Sequence, residues 1–152
     1  MGLWEARMGT EPSEAQRLWA EHGEMVGRVC MALLGDAGLA RDAVEEAFVE
    51  AGAQPTRARI FGAARIACAR RLERDAGRDF ADTKRDPVTD AEKMRVALNE
   101  LKPTEREAVV LLVIAKLTPG EVAEACGTDE ATARERASRG LSRLRAYLGD
   151  AR

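Results

Sequence analysis

Apolar residues recur along this chain at intervals of three and four, which is the spacing that gives a helix one apolar face. Beta-branched residues are sparse, and no stretch alternates apolar and polar positions for long. The pattern predicts helices at residues 13–34, 39–51, 56–74, 90–101, 104–113, 118–127 and 129–148. The expected fold class is therefore all-α.

Polar residues at the predicted helix ends support these boundaries. A Ser or Thr followed three positions later by Glu or Gln is the spacing of a capping box, and it occurs at Ser13–Gln16, Thr104–Glu107 and Thr118–Glu121. Asp90 and Asp129 are expected as the N-caps of their helices, and Gly149 as the C-cap of the last one.

Residues 75–89 interrupt the pattern, because they are polar, mixed in charge and without apolar periodicity. We interpret this stretch as a linker. It divides the chain into an N-terminal half, residues 13–74, and a C-terminal half, residues 90–149. Each half is near the lower size limit for an independent core, so we expect the halves to dock on each other or on a partner.

A short helix, a turn through Gly127 and a longer helix form the sequence pattern of a helix-turn-helix. Helical bundles with no role in DNA binding contain the same pattern, so by itself it leaves DNA binding open. At about 100° per residue, one stripe of the last helix is apolar and predicted to be buried: Ala133, Ala137, Leu141, Leu144 and Leu148. The opposite face is polar and rich in arginine: Ala131, Thr132, Glu135, Ser138, Arg139, Ser142 and Arg143, with Arg134, Arg136 and Arg145 beside it.

Carboxylates on this arginine-rich face need an explanation, because phosphate repels them. Asp129 and Glu130 lie at the start of the helix, where the helix dipole favours negative charge. Glu135 lies centrally on the outward face and has two interpretations. It forms an ion pair with Arg139 one turn later, or it accepts a hydrogen bond from the N4 amine of cytosine in the major groove.

Charge is unevenly distributed, although the whole chain has a net charge of −2. Residues 1–55 contain four arginines and ten acidic residues, a net of −6, whereas residues 56–75 contain six arginines and two acidic residues, a net of +4. An acidic segment followed by a basic helix suggests two different partners. A solvated surface with locally uneven charge is the alternative interpretation.

The composition offers little for catalysis. There is one histidine, and the three cysteines are scattered among apolar residues, which favours buried free thiols in a reducing cytoplasm over a disulfide framework or a metal site. No nucleophile motif, glycine-rich phosphate loop or metal-ligand spacing is present, so we expect neither an enzyme nor a cofactor. No apolar run is long enough to span a membrane, and the expected location is the cytoplasm.

Three segments of the chain carry a resemblance to a known family. They are GDAGLARDAVEEAFVEA, RIFGAARIACARRLER and LNELKPTEREAVVLLVIAKLTPGEVAEACGTDEATARERASRGLSRLRAYL. In this order they are similar to the helix that grips the polymerase clamp, the promoter-melting helix and the promoter-reading domain of bacterial sigma factors of the extracytoplasmic-function type. The last segment alone also resembles the DNA-binding domain of LuxR-type regulators. The resemblance to sigma factors spans residues 18–148.

The resemblance implies two partners and a set of contact residues for each. Binding to core RNA polymerase is implied for the second helix, at Asp42, Glu45, Glu46 and Phe48. Binding to promoter DNA is implied for the third helix, at Arg65, Arg70, Arg71 and Arg74, and for the last helix, at Thr132, Arg134, Glu135, Arg136, Arg139 and Arg143. An anti-sigma factor is a further partner that the family allows.

The third helix departs from the family at positions that help to form the pocket around an unstacked promoter base. The family's Trp, Asn and Asp fall on Arg59, Ile66 and Arg70, and an isoleucine cannot hydrogen-bond a base edge. Beside a sigma factor that directs promoter-specific initiation, we therefore consider a sigma-like protein that binds polymerase or an anti-sigma factor without melting a promoter. A stand-alone helix-turn-helix regulator is the third hypothesis.

Overall fold

The computed structural model describes residues 14–52, 56–74 and 89–150. Within these ranges the regular secondary structure is helical and contains no strand, which confirms the predicted all-α fold class. The helices are α1 (Glu14–Leu34), α2 (Ala37–Glu50), α3 (Arg57–Arg74), α4 (Asp90–Asn99), α5 (Pro103–Val109), α6 (Pro119–Cys126) and α7 (Glu130–Asp150), and a π-helical turn over Val110–Ile114 follows α5. None of these described helices has both the length and the apolar character needed to cross a bilayer.

In the N-terminal half, α1, α2 and α3 pack on one another around aliphatic and alanine side chains. Gly35 ends α1 with a φ of +69°, a left-handed conformation that glycine adopts at little cost. The Asp36 carboxylate then accepts a hydrogen bond from the Leu39 backbone N–H at 2.9 Å. This N-cap starts α2 at Ala37, so the helix begins slightly earlier than the pattern predicts.

The helix ends of the C-terminal half follow the predicted caps in part. Thr118 and Glu121 form the predicted capping box at the start of α6, with Pro119 at the first helical position. The prediction that Asp90 caps α4 is wrong. The N-cap is Thr89, whose hydroxyl accepts the backbone N–H three residues later in a capping box of its own.

Two other predicted caps are also wrong, and a third lies outside the described residues. Pro103 occupies the first position of α5, which places Thr104 inside the helix, where its side chain cannot cap the end. At the end of the chain α7 continues through Gly149 to Asp150 and forms no left-handed cap at that glycine. The capping box predicted at Ser13 rests on a residue that is not described.

The π-helical turn after α5 departs from the pattern, which predicts an ordinary helix there. The Ala115 N–H donates to the Val110 carbonyl five residues earlier, at 3.2 Å. Lys116 follows with a φ of 56°, a conformation that no other non-glycine residue adopts in the described part of the chain. Val110 and Leu111 of the turn are buried. The turn packs against α1.

The two halves share one hydrophobic core. Helix α3 packs against α6, and α1 packs against the π-helical turn and α4. Buried residues from both halves, such as Val26 and Phe61 on one side and Leu111 and Val122 on the other, belong to one contiguous cluster. The halves are therefore docked on each other in this structure, in keeping with their small size.

Gly140 lets α7 approach α5 closely. A Cβ atom at this position would lie 2.5 Å from Cγ2 of Val109 and 3.1 Å from the backbone oxygen of Glu105. Gly140 is buried although the apolar pattern does not include it in the buried stripe. The contact between α5 and α7 therefore depends on a residue without a side chain.

We expect Gly140→Ala to lower the free energy of unfolding by about 1–3 kcal/mol, because overpacking outweighs the gain in helix propensity. Urea denaturation followed by circular dichroism measures this change. Gly149→Ala in the same helix is the matched control, because a Cβ there meets no atom within 4 Å. Equal stability of the two variants would contradict the close approach of the helices.

Candidate nucleic-acid interface

The helix-turn-helix consists of α6, the turn at Gly127 and α7. Gly127 has a φ of +65°, and the Thr128 N–H donates to the Ala123 carbonyl at 2.9 Å, which closes the end of α6. The Asp129 carboxylate accepts the Thr132 N–H at 2.7 Å, so the predicted N-cap of α7 is confirmed. The same hydrogen bond holds the pKa of Asp129 below its ordinary value.

Helix α7 buries the stripe that the sequence predicts and exposes the arginine-rich face. Ala133, Ala137 and Leu144 are buried, and Leu141 and Leu148 are half-buried. The exposed side chains on the other face are Ala131, Arg134, Glu135, Ser138, Arg139, Ser142, Arg143 and Arg145, and Thr132 and Arg136 are half-buried. The predicted contact residues of α7 are thus brought together on a surface that is accessible to a partner.

Two exposed ion pairs lie on this face of α7. Arg134 donates to Glu130 at 2.7 Å and Arg139 donates to Glu135 at 2.5 Å, each across one helical turn. All four side chains are more than half exposed, so each pair contributes only a few tenths of a kcal/mol. The ion-pair interpretation of Glu135 agrees with this geometry, and acceptance of a hydrogen bond from cytosine stays a prediction.

Arg143 contacts a buried carboxylate that the sequence does not single out. Glu105 of α5 is 3% exposed, and neither oxygen of its carboxylate has a hydrogen-bond partner in the described part of the chain. The Nη1 atom of Arg143 lies 3.3 Å from Oε1 of Glu105 and provides a counter-charge. Because a buried charge is costly without such a partner, Arg143 has a structural role beside its predicted contact with DNA.

Arg65 of α3 points toward the C-terminal half. Its Nε donates to the Ala125 carbonyl at 3.1 Å, and its Nη1 donates to the Glu107 carboxylate at 3.3 Å. Arg57 on the same helix donates to both carboxylate oxygens of Glu121, at 2.6 and 3.0 Å. The Arg57 guanidinium is the main reason that the pKa of Glu121 falls to about 2. Sequence patterns do not indicate these contacts, because the partners are 42 to 64 residues apart.

Glu46 of α2 lies between two arginines of α3. Arg70 donates to its Oε1 at 3.1 Å, and Arg71 donates to its Oε2. Arg71 is the main cause that lowers the pKa of Glu46. Glu46, a predicted polymerase contact, is therefore paired in this structure with Arg70 and Arg71, which are predicted DNA contacts. Arg74 at the end of α3 is exposed.

The remaining predicted polymerase contacts lie on α2 beside an aromatic pair. Asp42 and Glu45 are exposed, and their spacing to Phe48 and Val49 puts all four on neighbouring positions of one helix face. The ring of Phe48 lies 5.0 Å from that of Trp19 of α1. Trp19 is 50% exposed and Val49 is 80% exposed. Trp19 falls on the apolar stripe of α1 by its spacing, so residue spacing alone does not indicate that this ring is half exposed.

The three positions at which α3 departs from the resembled family line one cleft. This cleft of about 270 Å³ lies between α2, α3 and α6. Arg59, Ile66 and Arg70 line it from α3, and Glu124 and Ala125 line it from α6. Ile66 is 42% exposed. The C-terminal half therefore forms one wall of the cleft.

We expect Arg143→Ala to lower the free energy of unfolding by about 1–2 kcal/mol, because Glu105 would stay buried without its counter-charge. In a Glu105→Met background the same substitution should cost only a few tenths of a kcal/mol. A double-mutant cycle by urea denaturation measures the difference, with Arg139→Ala as the control for an exposed ion pair. An equal cost of Arg143→Ala in both backgrounds would show that the two side chains are not coupled.

Comparison with known proteins assigns the C-terminal half to a family and the whole chain to a fold. Residues 91–144 match the family Sigma-70, region 4. The sigma factor RpoE from Bartonella quintana, solved in complex with the anti-sigma factor NepR, is similar with a TM-score of 0.68 and 21% identity, over 90% of this chain and 99% of RpoE. CnrH, solved in complex with the cytosolic domain of CnrY, has a TM-score of 0.72 and 23% identity, over 90% of this chain and 88% of CnrH. No curated protein matches the sequence significantly. The family match confirms the resemblance of the last segment, residues 91–144, to a promoter-reading sigma domain, and the shared fold agrees with the resemblance of the whole chain.

Proposed function

We propose that this chain, whose residues 91–144 belong to the sigma-70 region 4 family and whose fold is that of the sigma factor RpoE, is a sigma factor of the extracytoplasmic-function type. In this role it binds core RNA polymerase and directs transcription initiation at specific promoters. The agreement of the two comparisons carries the proposal. The family match covers the helix-turn-helix, and the likeness in fold extends over 90% of the chain.

In the proposed role, α2 is the helix that binds core polymerase. Asp42 and Glu45 are exposed and free to meet a basic surface of the enzyme. Phe48, with the half-exposed Trp19 beside it, offers an aromatic contact of the kind that contributes most to protein interfaces. Glu46 is paired with Arg70 and Arg71. It can contact polymerase only if basic residues of the polymerase replace these two arginines as its partners.

Promoter DNA is the proposed partner of α7, which would enter the major groove upstream of the start site. Arg134, Arg136, Arg139 and Arg143 are the proposed contacts to phosphates and bases, with Thr132 near the start of the helix. The acidic partners of these arginines reduce the positive charge that phosphate meets. The affinity for DNA alone is therefore expected to be modest, and polymerase binding would supplement it.

The cytoplasm is the proposed place of action, because core polymerase and promoter DNA are found there. The role needs no catalytic group or cofactor in the chain, since the polymerase performs the chemistry. An anti-sigma factor is a further proposed partner, because the similar RpoE was solved in complex with one.

A specific observation favours a second candidate, a sigma-like protein that binds polymerase without melting promoters. The cleft that holds Arg59, Ile66 and Arg70 has an apolar side chain where a base edge would need a hydrogen-bond donor or acceptor. A stand-alone regulator, the third candidate, would bind its DNA site without polymerase.

Transcription with purified components distinguishes the three candidates. The chain is mixed with core RNA polymerase and a library of random promoter sequences, and the start sites of the transcripts are sequenced. We expect transcripts that begin at defined sites and share an upstream sequence. Polymerase binding without transcripts would favour the sigma-like protein, and DNA binding without polymerase binding would favour the regulator. If the chain neither binds polymerase nor produces specific transcripts, the proposal is refuted.

The affinity of the chain for purified core polymerase, measured without promoter DNA, tests the polymerase contact. We expect Asp42→Asn with Glu45→Gln to weaken the affinity for core polymerase about tenfold, equivalent to about 1.4 kcal/mol. The matched control neutralises two exposed acids elsewhere, Glu73→Gln with Glu100→Gln. If the control loses affinity to the same extent, the effect comes from net charge and the assignment of α2 fails.

The role of Glu135 is tested on duplex DNA. We expect Glu135→Gln to raise the affinity a few-fold and equally for all sequences, because it frees Arg139 and removes one negative charge. Glu130→Gln, which frees Arg134 in the same way, is the matched control. Selection of binding sites from a random library with polymerase present measures both. A change in base preference at one position, seen only for Glu135→Gln, would instead establish a contact with cytosine.

A further inference from the structure

Two of the cysteines meet in the core of the N-terminal half. Cys30 lies on α1 and Cys68 on α3, and these two helices pack on each other. Both residues belong to the hydrophobic cluster, with exposed fractions of 0% and 1%. Their thiols share a hydrogen bond, so the two sulfur atoms are neighbours. We call these two residues the thiol pair. Because they lie far apart along the chain, residue spacing does not indicate their contact.

Small side chains around the thiol pair let the two helices come close. Ala64 lies one turn before Cys68 and Ala67 directly before it, and both alanines are buried. Alanine has no side-chain atom beyond Cβ, so α3 has little bulk at the place where Cys30 reaches it. A disulfide needs such an approach, because its two Cβ atoms lie about 3.5–4.5 Å apart.

One cation lies beside the thiol pair. The charge of Arg71 favours the thiolate form of both cysteines. Its guanidinium is held in place by the Ala67 carbonyl, at 2.9 Å, and by the Glu46 carboxylate, and its side chain is only 11% exposed. The hydrogen bond from Cys68 is the main cause that lowers the pKa of Cys30. The same contact, together with burial, raises the pKa of Cys68. Cys30 is therefore the thiol that ionises first.

We propose that the thiol pair is an oxidation site, at which hydrogen peroxide converts Cys30 and Cys68 into an intramolecular disulfide between α1 and α3. A thiolate is the nucleophile in this chemistry, and a second thiol beside it traps the first oxidation product. Disulfides of intracellular proteins are usually transient and redox-sensing, and this one would report the presence of oxidant in the same way. The proposal concerns the N-terminal half and does not depend on the proposed function.

Two steps convert the thiols into the disulfide. The Cys30 thiolate attacks one oxygen of the peroxide, an S–O bond forms as the O–O bond breaks, and the departing hydroxide takes up the proton that Cys30 released. The Cys68 sulfur then attacks the sulfenic acid of Cys30, the S–S bond forms as the S–O bond breaks, and hydroxide leaves as water with the Cys68 proton. The two sulfurs lose two electrons in total, and one peroxide becomes two waters. An excess of dithiothreitol reverses the bond by thiol–disulfide exchange.

Burial limits access to the thiol pair, and Cys126 provides a contrast. The cleft between α2, α3 and α6 reaches Ala67, the residue before Cys68. Peroxide is small and uncharged, so it can enter through local opening of the helices. Cys126 is less deeply buried, and burial and nearby charges, with no contribution from a second thiol, set its pKa. We therefore expect the thiol pair to be oxidised slowly but to a single product.

The test oxidises the full chain and locates the bond by mass spectrometry. All samples carry Cys126→Ala, which excludes bonds between chains through the less buried thiol. The reduced protein is freed of reductant, treated with hydrogen peroxide, alkylated and digested with trypsin. Cleavage after arginine places Cys30 in the peptide 29–41 and Cys68 in the peptide 66–70. We expect these peptides to appear joined, with the loss of two hydrogens, and to separate after treatment with dithiothreitol.

Thermal unfolding followed by circular dichroism is the second readout. A disulfide between Cys30 and Cys68 constrains the unfolded chain, so we expect oxidation to raise Tm by roughly 5–15 °C and dithiothreitol to restore the original value. Cys30→Ala and Cys68→Ala, each combined with Cys126→Ala, are the matched controls. Each keeps one thiol of the pair, so peroxide should not raise its Tm.

The two readouts decide the proposal separately. Thiols that stay reduced, or that are oxidised to sulfinic acid without a link between the two peptides, would overturn it. A linked chain whose Tm is unchanged or lower would also overturn it, because the bond would then not fit the native packing of α1 and α3. Polymerase binding and specific transcription are independent measurements. A chain that forms the disulfide but does not bind polymerase would refute the sigma-factor proposal and leave the thiol pair in place.

Discussion

The pairing of arginine with carboxylate links the helices of this chain around their shared hydrophobic core and determines which charges the surface offers to partners. Arg57 and Arg65 join the halves, Arg70 and Arg71 join α2 to α3, and Arg143 joins α7 to α5. The chain has 26 acidic residues for 24 basic ones, so each basic surface has internal competitors for its guanidinium groups. At the paired arginines a phosphate competes with a carboxylate, and this competition lowers the affinity for DNA most where the pair is partly buried, as at Arg65 and Arg71.

Local features of the structure could be predicted from the sequence, and long-range contacts could not. The helices, the capping box at Thr118, the turn at Gly127 and the buried stripe of α7 follow from residue spacing within one or two turns. The partners of Arg65, the buried Glu105 and the close approach at Gly140 depend on how distant helices dock, and no local pattern encodes them. The same limit explains the missed exposure of Trp19, because its apolar ring fits the periodicity of a buried face.

The positions at which α3 departs from the resembled family share one location. Arg59, Ile66 and Arg70 lie in one cleft, and α6 of the C-terminal half forms part of its wall. A base that entered this cleft would meet Ile66, whose side chain offers no hydrogen-bond donor or acceptor. In the proposed role the altered cleft would weaken promoter melting, whereas the predicted contact faces of α2 and α7 are exposed.

Docking of the halves and binding of nucleic acid by α3 are expected to exclude each other, because Arg57 and Arg65 would have to leave their partners in the C-terminal half to bind phosphates. Electron cryomicroscopy of the chain bound to core polymerase and promoter DNA tests this most directly, because it images α3 and α6 in the working complex. We expect α6 to have left α3, with Arg57 and Arg65 directed at phosphates. A complex in which Arg65 still bonds to Glu107 and Ala125 while promoter DNA is bound would contradict the account.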